Sequence, residues 1–307
     1  MIRIGLVDLD TSHPRAFTRI LRAMPGVEVA ALWDGHDVWP DGYDAAFAAE
    51  EEIPLVCRRL EEMPDHVDAA MIHGTNWDTH LEKALVFLKE GKPVLIDKPV
   101  VGRERHCAKL LDLQARYGTP VFGGSSLRFA AEVVALRERI GDRARLHMIV
   151  ASGPGDFFSY GIHTTEMLQG CIGTGIRSVR RAGGKGDPLF RLTYEDGFAA
   201  LLQLQTPHYE WSLAAYTDRG LQTATVNPDA LYEPFLKEFI VSLGGSLPAD
   251  RLAGPVEAVR VHLAADIARE TGDEVFLDRL PEEAAFDGAA FAAGYAAEKR
   301  RTAATGR

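Results

Sequence analysis

Over its first 125 residues the chain alternates short apolar runs with longer amphipathic segments, and that rhythm permits few folds. It is the pattern of βαβ units, in which helices cover the faces of a parallel sheet. Strands are expected at 2–7 (IRIGLV), 28–33 (EVAALW), 68–73 (DAAMIH), 93–97 (PVLID) and 120–123 (PVFG), with a weaker one near 54–57. Helices fall between them. The segment at 14–24 follows Thr11 and Ser12, good N-cap types, and opens with Pro14, which suits a first turn. The segment at 78–90 places Leu81, Ala84, Leu85 and Leu88 on one face and stops at Gly91, and a third helix at 103–117 ends at Tyr117-Gly118.

Beyond residue 125 the rhythm changes. A helix at 128–140 precedes "RARLHMIVAS", and "GIHTTEMLQGCI" reads as another helix. Strand-like runs follow at 175–182, 188–194, 198–205, 209–217 and 221–227, separated by turn sequences such as "YEDGF" and "TDRG". Successive strands without helices between them imply an antiparallel sheet. Helices at 232–243 and 255–270 close the unit, and the Ala-rich tail from about 281 is expected to be partly irregular and to fray at "EKRRTAATGR". The expected fold is α/β: a Rossmann-type doubly wound parallel sheet over 1–125, then an α+β domain over 126–307 with a mainly antiparallel, open-faced sheet. With 307 residues, each part can bury a core of its own.

Composition narrows the partners. Asp plus Glu is 44 against 34 for Lys plus Arg, and the net charge of -10 disfavours nucleic acid and anionic membrane. Cys57, Cys107 and Cys171 are widely spaced and lack a C-x-x-C pattern, so reduced, buried thiols are expected. Strand-like sequence directly follows Met1, with no basic region and long apolar stretch, so no signal peptide is expected and a cytoplasmic location is.

Chemistry-bearing residues gather where strands end. In "VLIDKPV" a buried strand runs into Asp97-Lys98-Pro99, placing two charged residues at the carboxyl edge of the sheet, where open α/β sheets bind ligands. Strand alternation predicts that Asp97 and Lys98 point to opposite faces; the plainer alternative is a turn with a surface lysine. In "SYGIHTTEML", His163 opens a helix and shares a face with Glu166. A packing histidine is the alternative there, but paired with Lys98 it would complete a set able to handle one alcohol proton.

"IGLVDLDTSHP" has the look of a first strand and phosphate-binding turn that has lost glycines. Set against G-x-G-x-x-G, it keeps Gly5, while Val7 and Asp10 replace the second and third glycine. A carboxylate near a phosphate repels it unless the group points away or caps a backbone N–H. The expectation is a reshaped loop in which Asp10 turns inward as a capping residue, Thr11, Ser12 and the helix N-terminus donate to the phosphates, and His13 adds a donor or faces substrate. A metal held by Asp8, Asp10 and His13 is the alternative, but no further residue completes such a site, and no metal is expected. Asp34, at the end of the second strand, is placed for the ribose hydroxyls of a dinucleotide and disfavours a 2′-phosphate, which points to NAD rather than NADP.

Three segments together, "MIHGTNWDTHLEKALVFLKEGKPVLIDKPV", "GIHTTEML" and "LTYEDGFAALLQLQT", resemble in order the motifs of the Gfo/Idh/MocA family of nicotinamide-dependent oxidoreductases, and the likeness covers nearly the whole chain. The resemblance implies that Lys98 sits beside the nicotinamide and the reacting carbon, with His163 as acid/base. It puts Arg128, Ser159, Tyr160 and Glu166 on the substrate side, and Thr75, Asn76, Trp77, His80 and Asp97 along the cofactor. Ser159 stands where the family has an Asp four residues before the His, Glu166 replaces an Asp, and Asp97 replaces a Glu. The activity implied is hydride transfer between NAD(P) and a secondary alcohol or ketone of a sugar, cyclitol or related polyol. A homodimer or homotetramer formed through the C-terminal sheet is implied as well. Two rivals stay open: an NAD-using glycosidase or lyase on the same scaffold, and a non-catalytic member that has lost its cofactor.

Overall fold

The computed structural model describes residues 1–244 and 251–305. Its N-terminal half is a six-stranded sheet of β1 (Ile2–Val7), β2 (Val27–Trp33), β3 (Leu55–Val56), β4 (Ala69–Ile72), β5 (Val94–Ile96) and β6 (Val121–Gly123). The strands are parallel and lie in the order β3-β2-β1-β4-β5-β6. The chain starts mid-sheet, runs to one edge, then crosses back to the other side of β1. The order therefore reverses between β1 and β4, opening a crevice at their carboxyl ends. Apolar side chains fill both faces: Phe17 and Leu21 of α1 (His13–Arg22) and Phe47 of α2 (Tyr43–Glu50) pack with Ile4, Leu6 and Leu95, while α3 (His80–Leu88) and α4 (Glu104–Tyr117) pack with Val7, Ile72 and Ile96.

The second half builds a seven-stranded sheet from β7 (Leu146–Pro154), β8 (Ile176–Arg181), β9 (Leu189–Tyr194), β10 (Ala199–Thr206), β11 (Ser212–Thr217), β12 (Gly220–Thr225) and β13 (Glu274–Phe276), in the order β12-β11-β7-β10-β9-β8-β13. The sheet is mixed: its pairs are antiparallel except β7 with β10, which run parallel. The long connection after β7 passes through α6 (Gly161–Ile172), which lets β7 lodge between β10 and β11. α5 (Ala131–Ile140), α6 and α8 (Ala253–Thr271) cover one face. Along β7 and β11 the other face presents half-buried Met148, Val150 and Ala214. α6 is buried on all sides from Gly161 to Cys171, which fixes its polar residues rigidly. α8 is the shared wall: Val256, Val259 and Leu263 join the core under α4, and Val261, Ala264 and Ala265 join the core of the second sheet. All three cysteines are buried free thiols.

The C-terminal tail departs from expectation. Residues 281–287 are irregular, but Gly288–Thr305 form a helix, α9; residues 306 and 307 lie outside the described residues. Alanine is the best helix former, and here the alanines also let the helix dock closely. Ala292 and Ala296 are buried, Phe291 lies 4.8 Å (ring centroids) from Trp77, and Arg300 Nε donates to Val38 O. α9 thus crosses the crevice from the start of α3 to the loop after β2. Among the described residues no helix is long and apolar enough to cross a membrane.

Candidate active site

β1 ends at Val7, which moves the turn three residues on from where the sequence reading put it. Gly5 lies inside the strand, where an added Cβ would stand 2.5 Å from Met63 Sδ, and Val7 is fully buried. Neither can meet a phosphate. The positions that carry G-x-G-x-x-G spacing after the strand are Asp8, Asp10 and His13. Asp8 takes the left-handed conformation (φ 64°) that the first glycine of such a turn supplies.

Each of these three side chains is tied to a neighbouring element. Asp8 Oδ2 accepts from Lys83 Nζ of α3 at 2.6 Å, and its Oδ1 accepts from Gly35 N at 3.3 Å. Asp10 Oδ2 accepts from Thr75 N (2.7 Å) and Thr75 Oγ1 (2.9 Å), so it caps the turn after β4 rather than its own helix. Burial, reinforced by the Asp8 charge and opposed by Thr75, pushes the Asp10 carboxyl up to about 7. At the end of β2, Asp34 Oδ1 accepts from Leu9 N at 3.1 Å, and burial raises its carboxyl too.

A dinucleotide fits the donors and acceptors present. Asp34 Oδ2 is buried without a hydrogen-bond partner, beside a cleft of about 380 Å³ that includes His36 and Arg58. A ribose hydroxyl would satisfy that oxygen. The N-terminus of α1 follows Thr11 and Ser12 and faces the crevice.

At the other end of the crevice, under α9, is a cavity of about 120 Å³ bordered by His13, His73, Lys98, Tyr160, Phe291 and Tyr295, with Thr11, Ser12, Thr75, Trp77 and Ser159 also on its walls. Lys98 Nζ donates to Ser159 O at 2.9 Å and lies 5.0 Å from the Tyr160 ring centroid. Burial lowers its pKa, against the pull of Asp97, Asp156 and Glu166. Asp97 and Lys98 both border this cavity instead of facing apart, because β5 stops at Ile96 and strand alternation no longer governs them. Asp97 Oδ2 meets His13 Nδ1 at 2.5 Å and His73 Nδ1 at 3.0 Å, and Oδ1 accepts from Lys98 N at 2.8 Å. Burial alone would raise this carboxyl; the two imidazoles overcome it and hold it well below the usual range.

His163 lies beside the cavity, not on its wall, with its ring 5.9 Å from that of Tyr160. Its Nδ1 is 2.6 Å from Ser125 Oγ, which also accepts from Leu127 N. The Ser125 hydroxyl proton then has Nδ1 as its acceptor, and the ring proton belongs on Nε2. Burial, followed by the charges of Lys98 and His13, pushes the His163 pKa well down. His163 is therefore a neutral donor.

Four further residues from the sequence reading do not reach the cavity. Arg128 gives Nε and Nη2 to Glu166 Oε2 (3.2 and 3.1 Å) and Nη2 to Gln169 Oε1, and it faces a separate cleft of about 700 Å³. Glu166, buried beneath it, is pushed toward its neutral form by burial and held back by Arg128. Asn76 shapes the turn into α3 through Asp78 N. His80 is wholly buried and bridges Gly74 O and Val100 O. The sequence reading missed His73, Asp156 and Ser125. His73 could have been found as the residue after the fully apolar β4. Asp156 accepts from Ser159 N and Oγ, so a carboxylate sits three residues before the position where Ser159 lacks one.

A profile described as "Oxidoreductase family, NAD-binding Rossmann fold" (Gfo/Idh/MocA) matches residues 3–125. The match covers the N-terminal sheet and its helices and stops before the second sheet begins. Inositol 2-dehydrogenase 2 of Saccharopolyspora erythraea is 31% identical over 157 residues, 48% of this chain and 43% of the relative, and inositol 2-dehydrogenase of Gluconacetobacter diazotrophicus is 26% identical over 118 residues, 38% of this chain and 34% of the relative. The chain thus spans less than half the length of the curated relatives it matches. Among solved structures, scyllo-inositol dehydrogenase from Lactobacillus casei with bound NAD(H) and scyllo-inositol superposes with TM-score 0.73 over 91% of this chain and 99% of the other, at 16% identity. GenD2 from gentamicin A biosynthesis, in complex with NAD, gives 0.75 over 90% and 96%, at 17%. At such identities the likeness carries the fold.

Proposed function

We propose that this chain is a Gfo/Idh/MocA member, an NAD-dependent dehydrogenase that interconverts a secondary alcohol and a ketone on a cyclitol, sugar or related polyol, with 1–125 as its nucleotide domain and 126–307 as its substrate and assembly domain. The observation that carries this reading is Lys98: an ammonium at the end of a buried strand, with one protein hydrogen bond, opening onto a cavity walled by imidazole and phenol groups. The inositol dehydrogenases among its relatives support the substrate class. Asp34 and the α1 N-terminus would hold the adenosine and phosphate ends, and Thr75, Trp77, Tyr160 and α9 would enclose the nicotinamide. When bound, the nicotinamide supplies the hydride acceptor or donor.

This chain's own residues hold the reacting oxygen. Lys98 presents a positive hydrogen-bond donor where alkoxide charge develops, in a site that Phe291, Tyr295 and Tyr160 shield from water. His163, next to Tyr160, stands beside this site as a neutral imidazole. Asp34 disfavours a 2′-phosphate and supports NAD over NADP. The half-buried apolar face along β7 and β11 supports a homodimer or homotetramer formed through that sheet, and the relatives' enzyme class fits a cytoplasmic location.

The buried trio Asp8, Asp10 and Asp34 favours a second reading, a non-catalytic member that has lost its cofactor, because carboxylates repel a pyrophosphate. Calorimetric titration with NAD+ and NADP+, followed by a panel of inositols and sugars read by NADH absorbance, separates the two. Micromolar NAD+ binding and turnover of a polyol are expected; no binding of either nucleotide overturns the dehydrogenase reading.

A further inference from the structure

His13 stands where the third glycine of a dinucleotide turn would be, and nothing about phosphate binding explains an imidazole there. Its ring is held from three sides: Asp97 Oδ2 takes Nδ1 at 2.5 Å, Phe17 stacks on it at 5.2 Å and 8°, and Tyr232 of α7 (Tyr232–Ser242) meets it edge-on at 5.2 Å. The ring borders the same cavity as Lys98, and its Nε2 has no protein hydrogen-bond partner among the described residues. His163 cannot do the same work, since its Nδ1 is engaged by Ser125 and its surroundings disfavour a second proton.

We propose that His13, oriented by Asp97, is the base that accepts the substrate's hydroxyl proton, while Lys98 acts as a hydrogen-bond donor to the same oxygen. The inference rests on the dehydrogenase reading above. In the oxidation the alcohol O–H bond breaks and its proton forms a new N–H bond at His13 Nε2; the carbon's hydrogen leaves with its electron pair to an oxidised nicotinamide dinucleotide, and the C–O bond becomes C=O. Asp97 supplies the counter-charge that the resulting imidazolium needs, in the manner of a carboxylate that orients a catalytic histidine. The charged or titratable groups around His13 are Asp97 and Lys98 after β5, His73 after β4, His163 on α6 and Tyr232 on α7. Of these, only Asp97 carries negative charge at neutral pH.

The test combines kinetics with a measurement that needs no turnover. In ring-nitrogen NMR of the full-length protein, with the His13 signals identified by their loss in His13→Asn, alkaline spectra should show the proton on Nδ1 and a bare Nε2. Asp97→Asn should abolish that preference. With NAD+ and the polyol found to be oxidised, His13→Asn should lose about 100-fold or more in kcat/KM while the NAD+ Kd stays within about threefold, and the acid limb of the wild-type pH profile should disappear. Added imidazole should restore part of the rate in His13→Gly, which a purely structural role would not allow. An Nε2–H tautomer in the wild type, or an active His13→Asn enzyme with an unchanged pH profile, overturns the proposal while leaving the dehydrogenase reading standing. A wild type that turns over no alcohol or ketone overturns both.

Discussion

The two ends of α6 open onto two clefts that differ in a way volume does not capture. The cleft at the C-terminal end is the larger, about 700 Å³ against about 120 Å³ for the cavity at the N-terminal end. Yet its cations are already committed: Arg128 to Glu166 and Gln169, Arg137 to Gly170 O, Arg251 to Glu238. In the small cavity, His13 Nε2 has no partner, His73 Nε2 is buried and unpaired, and Lys98 makes one hydrogen bond. Unused hydrogen-bonding capacity in a confined space, not size, distinguishes a reactive site from a groove.

That contrast fails if the two clefts respond alike to loss of a cation. Lys98→Ala should lower kcat/KM for the polyol by ~10²–10³-fold through loss of a donor to the developing alkoxide. Arg251→Ala, at the other cleft, should change it by less than about twofold, because a partly exposed ion pair contributes little. Steady-state kinetics on both variants decide the matter; a comparable loss in Arg251→Ala would move the reaction to the larger cleft.

Arg128 sharpens the comparison from the stability side. Its guanidinium is the partner of a carboxylate that is 1% exposed. Arg128→Met should therefore cost about 3 kcal/mol in urea unfolding, as the buried Glu166 carboxyl loses the cation that compensates its desolvation. The double variant with Glu166→Gln should recover a large part of that loss, since the two residues are in contact. A deficit in turnover with unchanged stability would instead return Arg128 to the substrate.

The parallel sheet was legible because buried βαβ strands leave an apolar signature that nothing else in such a chain imitates, and Lys98 because its strand points it at the sheet's carboxyl edge. The turn after β1 was misread by three residues. Gly5 attracted the fingerprint although it only makes room for Met63, while the true glycine positions carry Asp8, Asp10 and His13, which match no glycine pattern. Their partners Lys83, Thr75 and Asp97 lie 65 to 84 residues away, and spacing along the sequence cannot report contacts made across a sheet. α9 was hidden for a different reason: an Ala-rich tail has no amphipathic contrast, so only its docking on Trp77 reveals that it packs.

The crevice repeats the comparison in miniature at its Asp34 end, where the buried Oδ2 has no hydrogen bond and lies 3.4 Å from His36 Nδ1. Asp34→Ala should weaken NAD+ binding about tenfold, the order expected for a hydrogen bond to a charged acceptor. NADP+ should weaken less, because removing the carboxylate beside Arg58 also removes repulsion of a 2′-phosphate. Calorimetry with both nucleotides reads the change in preference; equal losses would mean that Asp34 only braces Leu9.

The smallest effect expected comes from Asp10, whose carboxyl burial and Asp8 push up to about 7. Below that pH the folded protein holds it as a neutral acid; above it, a buried carboxylate lies beneath the turn where the proposed pyrophosphate would sit and repels it through the protein. NAD+ affinity should therefore fall as pH rises from 6 to 8, by roughly threefold to tenfold, because the complex binds the proton more tightly than the free protein. The same linkage sets stability. An unfolded Asp10 ionises near the ordinary 3.8, while the folded one keeps its proton, so the unfolded chain binds fewer protons between 3.8 and about 7 and stability declines across that window as pH rises. Asp10→Asn keeps an oxygen for Thr75 and removes the ionisation, and both trends should flatten in that variant. An unchanged slope in Asp10→Asn would assign the pH dependence to another group and leave Asp10 as a turn residue alone.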